Sequence, residues 1–322
     1  MNVVMIGDGY WSGNFKRTIK SNFPSLKISH IVDPLTSNKA PGTVNLKDYK
    51  DLKPFVDDID FAIVCSPTIT HYEIVKFLLE NNIHTLVEKP ITNNVDEANK
   101  LFSIADKKNV CLMVDHIYLY NASIQMIKKI IDRGDLGNLI HLSFYRTNLG
   151  PIRTDVSALW DLTTHDVSIL DNFINKKYKK IAASGFKRKG TKVYDMVNAS
   201  IEYDNLFVTL FSSWLHPSKE RIIKIVGDKK MLIFDEMNSN EKIKIYDKKI
   251  DNLNKLQSKK YSSQFSFNVG NITIPFIKES DPLSNVLNEF IYRIKNKVSN
   301  KSSKSEAIQV VETLENIESK II

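Results

Sequence analysis

Two rhythms of apolar and polar positions alternate along the first third of the chain. MNVVMIG, LKISHIVD, FAIVCS, HTLV and VCLMVD are short, nearly continuous apolar runs, as expected of parallel strands covered on both faces. Between them the spacing is helical: a stretch from Trp11 to about Asn22, then HYEIVKFLLENN with its stripe of Ile74, Val75, Leu78 and Leu79, then VDEANKLFSIADKK. The polar loop SNKAPGTVN leads to a short helix near DYKDLKPF, and Pro34 and Pro67 stop the strands before them. Such alternation predicts a doubly wound parallel sheet.

After about His116 the rhythm changes. A helix near SIQMIKKIIDRG ends at Gly134, the turn DLGN precedes the strand LIHLSFYR, and an irregular TNLGPIRTD leads into a helix through ALWDLTTHDVSILDNF. From Lys180 onward strands dominate: KIAASGFK, VYDMVNASIEY, FVTLFSSWL, ERIIKIVGD, KMLIFDEM and KIKIYDK, several beside turn signals. Two helical stretches, LSNVLNEFIYRIKN and SEAIQVVETLENIESK, close the chain. The expected organisation is an α/β first domain over 1–117 and an α+β second domain over 118–322 with a large, mostly antiparallel sheet. An exposed face of that sheet would need covering, which predicts a homodimer or homotetramer.

Composition narrows the class. At 322 residues the chain exceeds the ~100–200 of a single domain, and its hydrophobic residues, 42% of the total, are spread along the whole length. The formal charge of +8 raises the question of nucleic acid. However, the lysines lie in short clusters (176–180, 187–189, 258–261) with no zinc-finger or RNA-binding signature, so a solvated basic surface is expected, or steering of an anionic substrate. Cys65 and Cys111 sit in apolar runs and cannot build a disulfide framework. No signal-peptide pattern opens the chain and no apolar run approaches the ~18–20 residues of a membrane span, so a soluble, cytoplasmic protein without membrane partners is expected. No Cys/His spacing suggests zinc, and no Ser nucleophile motif is present.

The first strand runs into Gly7-Asp8-Gly9-Tyr10-Trp11-Ser12-Gly13. In a dinucleotide-binding turn the first glycine permits the bend, the second admits the pyrophosphate, and the third allows close helix packing. Ser12 takes that third place here. The helix N-terminus then offers N–H groups and a partial positive charge to phosphates. Asp33 ends the second strand, where a carboxylate can accept from ribose hydroxyls and repel a 2′-phosphate; no Arg or Lys follows at once, so NAD is favoured over NADP. Alternatively Asp33 begins a turn before Pro34. Glu88-Lys89-Pro90 follows the strand HTLV. Lys89 is either part of a surface turn or, at a strand's carboxyl end beside the nicotinamide, a donor to a substrate oxygen, with Glu88 holding it.

Asp161 and His165 form an i,i+4 pair. At ~100° per residue they fall on one side of their helix with Thr164 and Ser168, opposite Leu162, Leu170 and Phe173. That face is either solvated or active. Arg153 in GPIRTDV offers a bidentate fork for an anion or sugar hydroxyls. Trp160 is an aromatic wall or a core residue.

Together, GDGYWSGN, the strand-end SPTITH, VEKP and GPIRTDVSALWDLTTH resemble the Gfo/Idh/MocA family of sugar and inositol oxidoreductases, in its sugar-nucleotide branch. The resemblance implies a Rossmann domain whose dinucleotide meets the opening turn through Tyr10 and Trp11, the turn Ser66-Pro67 with His71, and Glu88 and Lys89. It implies that Lys89 touches both nicotinamide and substrate, and that Pro90 follows a cis bond, as is frequent in the family. It implies that His165 is the acid–base residue, a role that suits an imidazole with an unperturbed pKa near ~6.5, with Asp161 orienting it. Tyr120-Asn121 matches a substrate-side aromatic–Asn pair, with Ala122 where the family has proline. The expected substrate is a sugar or nucleotide-linked sugar. The rival reading is a non-catalytic sensor that binds dinucleotide on the same fold.

Overall fold

The apolar runs form the strands, and their side chains are almost wholly shielded. Val3, Val4 and Met5 of β1 (Asn2–Ile6) and all of β4 (Phe61–Val64) are inaccessible to solvent. The computed structural model describes residues 1–35, 42–174, 176–250 and 267–322. Thr36 and Ser37, part of the SNKAPGTVN loop, and the lysine cluster at 258–261 lie outside the described residues.

β1 and β4 join β2 (Lys27–Val32), β3 (Val44–Leu46), β5 (His84–Glu88) and β6 (Leu112–Asp115) in a six-stranded parallel sheet. The order is β3-β2-β1-β4-β5-β6, so the chain leaves β1 on one side and returns on the other at β4. The crevice outside the carboxyl ends of those two strands is where such sheets bind ligands. The helices are α1 (Tyr10–Asn22), α2 (His71–Glu80) and α3 (Val95–Lys108). Local chemistry fixes α3 at both ends: the Asn94 side chain accepts from the Glu97 N–H, acids fill the first turn, Lys107 and Lys108 the last, and Asn109 ends it at φ 53°. The helix expected near DYKDLKPF is a 3-10 helix over Tyr49–Asp58, started by Asp48 and kept from α-helical bonding by Pro54, which has no N–H to give.

The chain divides into two compact units, Met1–Asn121 with Ser280–Glu315, and Ala122–Glu279 with Asn316–Ile322. A contiguous partition at 117/118 therefore misses the return of α6 (Pro282–Lys295) and most of α7 (Lys301–Glu318) to the first unit. Leu283, Val286, Leu287 and Phe290 of α6 share one core with Val3, Met5, Phe15 and Phe61, and the Phe61 and Phe290 rings meet edge to face at 5.4 Å. An amphipathic stripe specifies that a helix must bury one side, and says nothing about which surface receives it.

The second unit holds α4 (Ala122–Asp132), α5 (Thr164–Phe173) and an eight-stranded sheet. Its strands are β7 (Leu139–Leu149), β8 (Lys180–Phe186), β9 (Met196–Tyr203), β10 (Leu206–Ser213), β11 (Leu215–Gly227), β12 (Met231–Asp235), β13 (Ile243–Ile250) and β14 (Phe267–Thr273). In the order β14-β13-β12-β11-β7-β10-β9-β8, every neighbouring pair is antiparallel except β7 with β10. On one face a row of rings crosses that parallel pair: His141 stacks on Phe207 and Tyr145 on Phe211, with Phe207 46% exposed.

Candidate active site

Gly7 turns the chain out of β1 at φ +91°, and a Cβ there would stand 2.8 Å from the carbonyl carbon of Cys65. Only glycine fits that approach of two strand ends. Gly9 caps α1 in extended conformation, and a Cβ built on it meets nothing within 4 Å. Backbone open on that side at a helix N-terminus fits a phosphate cradle. Ser12 is fully buried in the first turn of α1, its Oγ without a hydrogen-bond partner among the described residues, so the packing accommodates a side chain at the third position. Tyr10 and Trp11 stand partly outside, at 80% and 36% exposure.

Asp33 ties this turn to the end of β2. Its Oδ2 accepts from the Asp8 N–H at 2.8 Å and its Oδ1 from the Leu35 N–H at 2.7 Å. It thus begins a turn and braces the glycine loop, and a carboxylate has acceptor sites beyond these two. Lys16 of α1 pairs with the Asp8 carboxylate. After β4, Thr70 Oγ1 lies 2.8 Å from Ser66 Oγ and 2.7 Å from the Pro67 carbonyl. His71 is buried, with Nδ1 2.9 Å from the Pro90 carbonyl and Nε2 2.9 Å from the Ser66 carbonyl. His71 thus straps the turn after β4 to the turn after β5.

Lys89 follows β5 immediately and is only 8% exposed, with a cis bond to Pro90. Around it the ends of β5 and β6 gather Glu88, Asp115 and His116, all buried. Burial, the Glu88 charge and a hydrogen bond to Glu88 push the Asp115 carboxyl well up. Burial and then the Lys89 charge bring His116 down to about 3, so its ring is neutral. His116 Nε2 lies 3.9 Å from Glu306 Oε1, too far for a hydrogen bond. Asp115 and His116 escaped the sequence reading, although the rule that singled out Asp33, a carboxylate closing an apolar strand, applies equally to Asp115. Tyr120 packs against the core of the first unit, and burial pushes its phenol up. Asn285 of α6 donates to the Tyr120 carbonyl at 3.1 Å. Asn121 ends the 3-10 turn Ile117–Tyr120.

In the second unit the helix expected through ALWDLTTHDVSILDNF opens as a π-helix, Leu159–Thr163, and continues as α5. The wider turn alters the phase that a uniform ~100° step assumes. The face expected to be polar and outward is mostly packed: Thr164 and Ser168 are buried, and across 156–170 only Asp161 and His165 keep partial exposure. The hydroxyls are satisfied locally, Thr164 by the Trp160 carbonyl, Ser168 by the His165 carbonyl and Thr163 by Ser212 of β10. Asp166, next to His165, forms a buried pair with Arg146 of β7 at 2.7 Å.

Arg153 lies in a fork of acids. Its Nε and Nη2 donate to Asp155 at 3.0 and 2.6 Å, and its Nη1 lies 3.4 Å from Asp161 Oδ1. Asp161 Oδ2 accepts from Trp214 Nε1 at 3.1 Å. Asp161 thus anchors Arg153 and Trp214. Hydrogen bonds from Arg153 hold the Asp155 carboxyl below its ordinary range. Asp155 and Trp214 were not foreseen; the Arg-x-Asp spacing of Arg153 and Asp155 was the available signal. Trp160 is a core residue whose Nε1 donates to Glu318 at 2.9 Å.

Residues 1–116 match the model of an oxidoreductase family with an NAD-binding Rossmann fold, and residues 124–233 match the GFO/IDH/MocA C-terminal domain. The scyllo-inositol 2-dehydrogenase (NADP(+)) of Bacillus subtilis is 23% identical over 221 residues, 65% of this chain and 56% of that protein. The UDP-N-acetylglucosamine 3-dehydrogenase of Acidithiobacillus ferrooxidans is 26% identical over 113 residues, 35% of each. The chain thus spans from about a third to just over half of these relatives. The fold of the WlbA dehydrogenase from Bordetella pertussis, solved with NADH and UDP-GlcNAcA, superposes with a TM-score of 0.78 at 16% identity, covering 99% of this chain and 95% of that one. Among the described residues no helix is long and apolar enough to cross a membrane.

Proposed function

The chain belongs to the Gfo/Idh/MocA family of NAD-binding oxidoreductases, and from that premise we propose that it moves hydride to or from a secondary alcohol or ketone carbon of a sugar, specifically a nucleotide-linked sugar. The observation that carries this reading is Lys89, an ammonium buried at the carboxyl end of β5 in the same sheet whose β1 ends in the Gly7–Gly9 cradle. The bound nicotinamide supplies the hydride or receives it. Gly7, Gly9 and the N-terminus of α1 hold the pyrophosphate, and Asp33 holds the adenosine ribose and disfavours a 2′-phosphate, so NAD is the cofactor. Lys89 hydrogen-bonds the substrate oxygen and stabilises the negative charge that develops there. His165 of the second unit, partly exposed, serves as the acid–base residue.

Relatives named for UDP- and dTDP-linked sugars support the substrate class. Arg153, held ready by Asp155 and Asp161, suits a sugar hydroxyl or an anionic group. The aromatic row across β7 and β10 supports a homo-oligomer in which a second copy covers that face. The test is stopped-flow absorbance of bound nicotinamide mixed with a panel of nucleotide sugars. Hydride transfer is expected with at least one of them and a loss of about 10²–10⁴-fold in Lys89→Ala. Dinucleotide binding without turnover across the panel would favour the sensor, and a wild-type rate in Lys89→Ala would remove the role given to that lysine.

A further inference from the structure

The carboxyl ends of β5 and β6 set two acids side by side. Glu88 and Asp115 are register partners in the parallel pair, so their side chains leave the sheet on one face. Glu88 is 8% exposed and Asp115 2%, and the Glu88 carboxyl is near enough to push the Asp115 carboxyl up. Asp115 Oδ1 has no further partner among the described residues. Carboxylate oxygens only accept, so the two groups can bond to each other only with a proton on one of them. Two bare carboxylates that close, in a water-poor site, also repel too strongly for both to ionise together.

The surrounding charges allow one negative charge and discourage two. Lys89 follows Glu88 directly and draws the pair toward ionisation. The Cys65 thiol at the end of β4 is pushed well up by burial and then by Glu88 and Asp115, so it contributes no anion. The Lys16 charge on α1 acts on the same thiol in the opposite sense. His116, next to Asp115, is neutral and faces Glu306 of α7, whose carboxyl burial raises to about 7. Glu289 and Arg293 of α6 oppose each other beside Tyr120.

We propose that Glu88 and Asp115 form a one-proton carboxyl pair that holds a single negative charge against the Lys89 ammonium and fixes where it points, which makes Asp115 a positioning residue for Lys89. Such a pair titrates as a unit. The direction at Asp115 agrees, since burial and the Glu88 charge act in concert and Lys89 opposes them. A lysine facing two full charges would be pulled down onto the sheet end, and one facing none would lie uncompensated in a dry site. One shared charge leaves it neutralised while its remaining N–H donors point elsewhere. Naming Lys89 as the group served rests on the oxidoreductase reading above; the shared proton does not.

The test is a carboxyl ¹³C NMR titration of the full chain labelled at Asp and Glu, without dinucleotide or substrate. One resonance is expected to titrate above about pH 6, well outside the ordinary carboxyl range, and to vanish in both Asp115→Asn and Glu88→Gln. In Asp115→Asn the amide donates to an ionised Glu88, so the remaining carboxyl should titrate at least about one pH unit lower. Two resonances titrating independently below about pH 5, or a high titration that survives both substitutions, would overturn the pair. The positioning role is read separately in turnover. Asp115→Asn should keep kcat within about threefold, while Asp115→Leu, similar in size but without a donor, should lower kcat about tenfold or more at unchanged KM for the dinucleotide. Equal losses in the two variants would overturn positioning. A chain that titrates as expected yet never transfers hydride keeps the shared proton and overturns the oxidoreductase reading instead.

Discussion

The two units handle charge in opposite ways. At the end of the parallel sheet, Glu88, Lys89, Asp115 and His116 are all at most 8% exposed, and two of them titrate far from their ordinary values. In the second unit, Arg153, Asp155 and Asp161 have side chains 29%, 22% and 18% exposed, joined in a fork. The first group is delivered by the ends of β5 and its register partner β6, and all four side chains are buried, so they must settle their protonation among themselves. The second sits on a loop and a π-turn, where ordinary pairing keeps the charges ionised and within reach of solvent. Strand ends suit proton-state control, and the fork suits exchange of one partner for a ligand.

The contrast can be broken at several points. His165→Asn should give the largest effect, a loss of about 10²–10⁴-fold in hydride transfer together with the pH limb that its titration contributes, read by stopped-flow absorbance across pH. A variant with the wild-type pH profile would move the acid–base role to another group.

His116→Asn tests whether the buried cluster stores proton linkage. The folded-state value of about 3 lies below the ordinary 6.5, so the folded protein resists protonation. The associated stability is present above about pH 6.5 and is lost as pH falls toward about 3. Relative to the variant, the wild type should lose on the order of 3 kcal/mol between neutral pH and about pH 4 in chemical denaturation. Parallel stability curves would show that His116 does not carry this linkage.

Gly7→Ala puts a Cβ against the Cys65 carbonyl at φ +91°. It should cost about 1–3 kcal/mol in thermal or denaturant unfolding and weaken dinucleotide binding, because the turn must shift. Gly9→Ala, whose Cβ meets nothing within 4 Å, should leave stability nearly unchanged while weakening the same binding, a difference that separates cradle from core. Asp155→Asn should have the smallest effect on the fold, below about 1 kcal/mol, because the pair it breaks is partly exposed. Its consequence should instead be a change in KM for an anionic or hydroxyl-rich substrate as Arg153 loses one anchor.

Much of this was legible along the chain because its causes are local. The strand–helix alternation and the glycine turn after β1 are patterns of residues a few positions apart. Other features were not legible, for differing reasons. The short helix expected near DYKDLKPF is present over Tyr49–Asp58, and Pro54 within it gives it 3-10 form. β3 is a three-residue edge strand too short to carry a periodicity. The polar side of the Asp161–His165 helix read as solvated or active, and residues distant in sequence decide its partners: Thr163 meets Ser212, Asp166 meets Arg146, and Asp161 meets Arg153 and Trp214.

By itself the sequence determined the parallel and antiparallel halves and the glycine turn. Those follow from periodicity, backbone conformational freedom and spacing, which are properties of neighbours along the chain. Only the tertiary structure decided that α6 returns to the first core, that Asp115 lies beside Glu88, and that Asp161 holds Arg153. Strand order brings together side chains that are distant in sequence, and burial then sets their proton affinities. Neither strand adjacency nor the absence of water is written in any short stretch of residues.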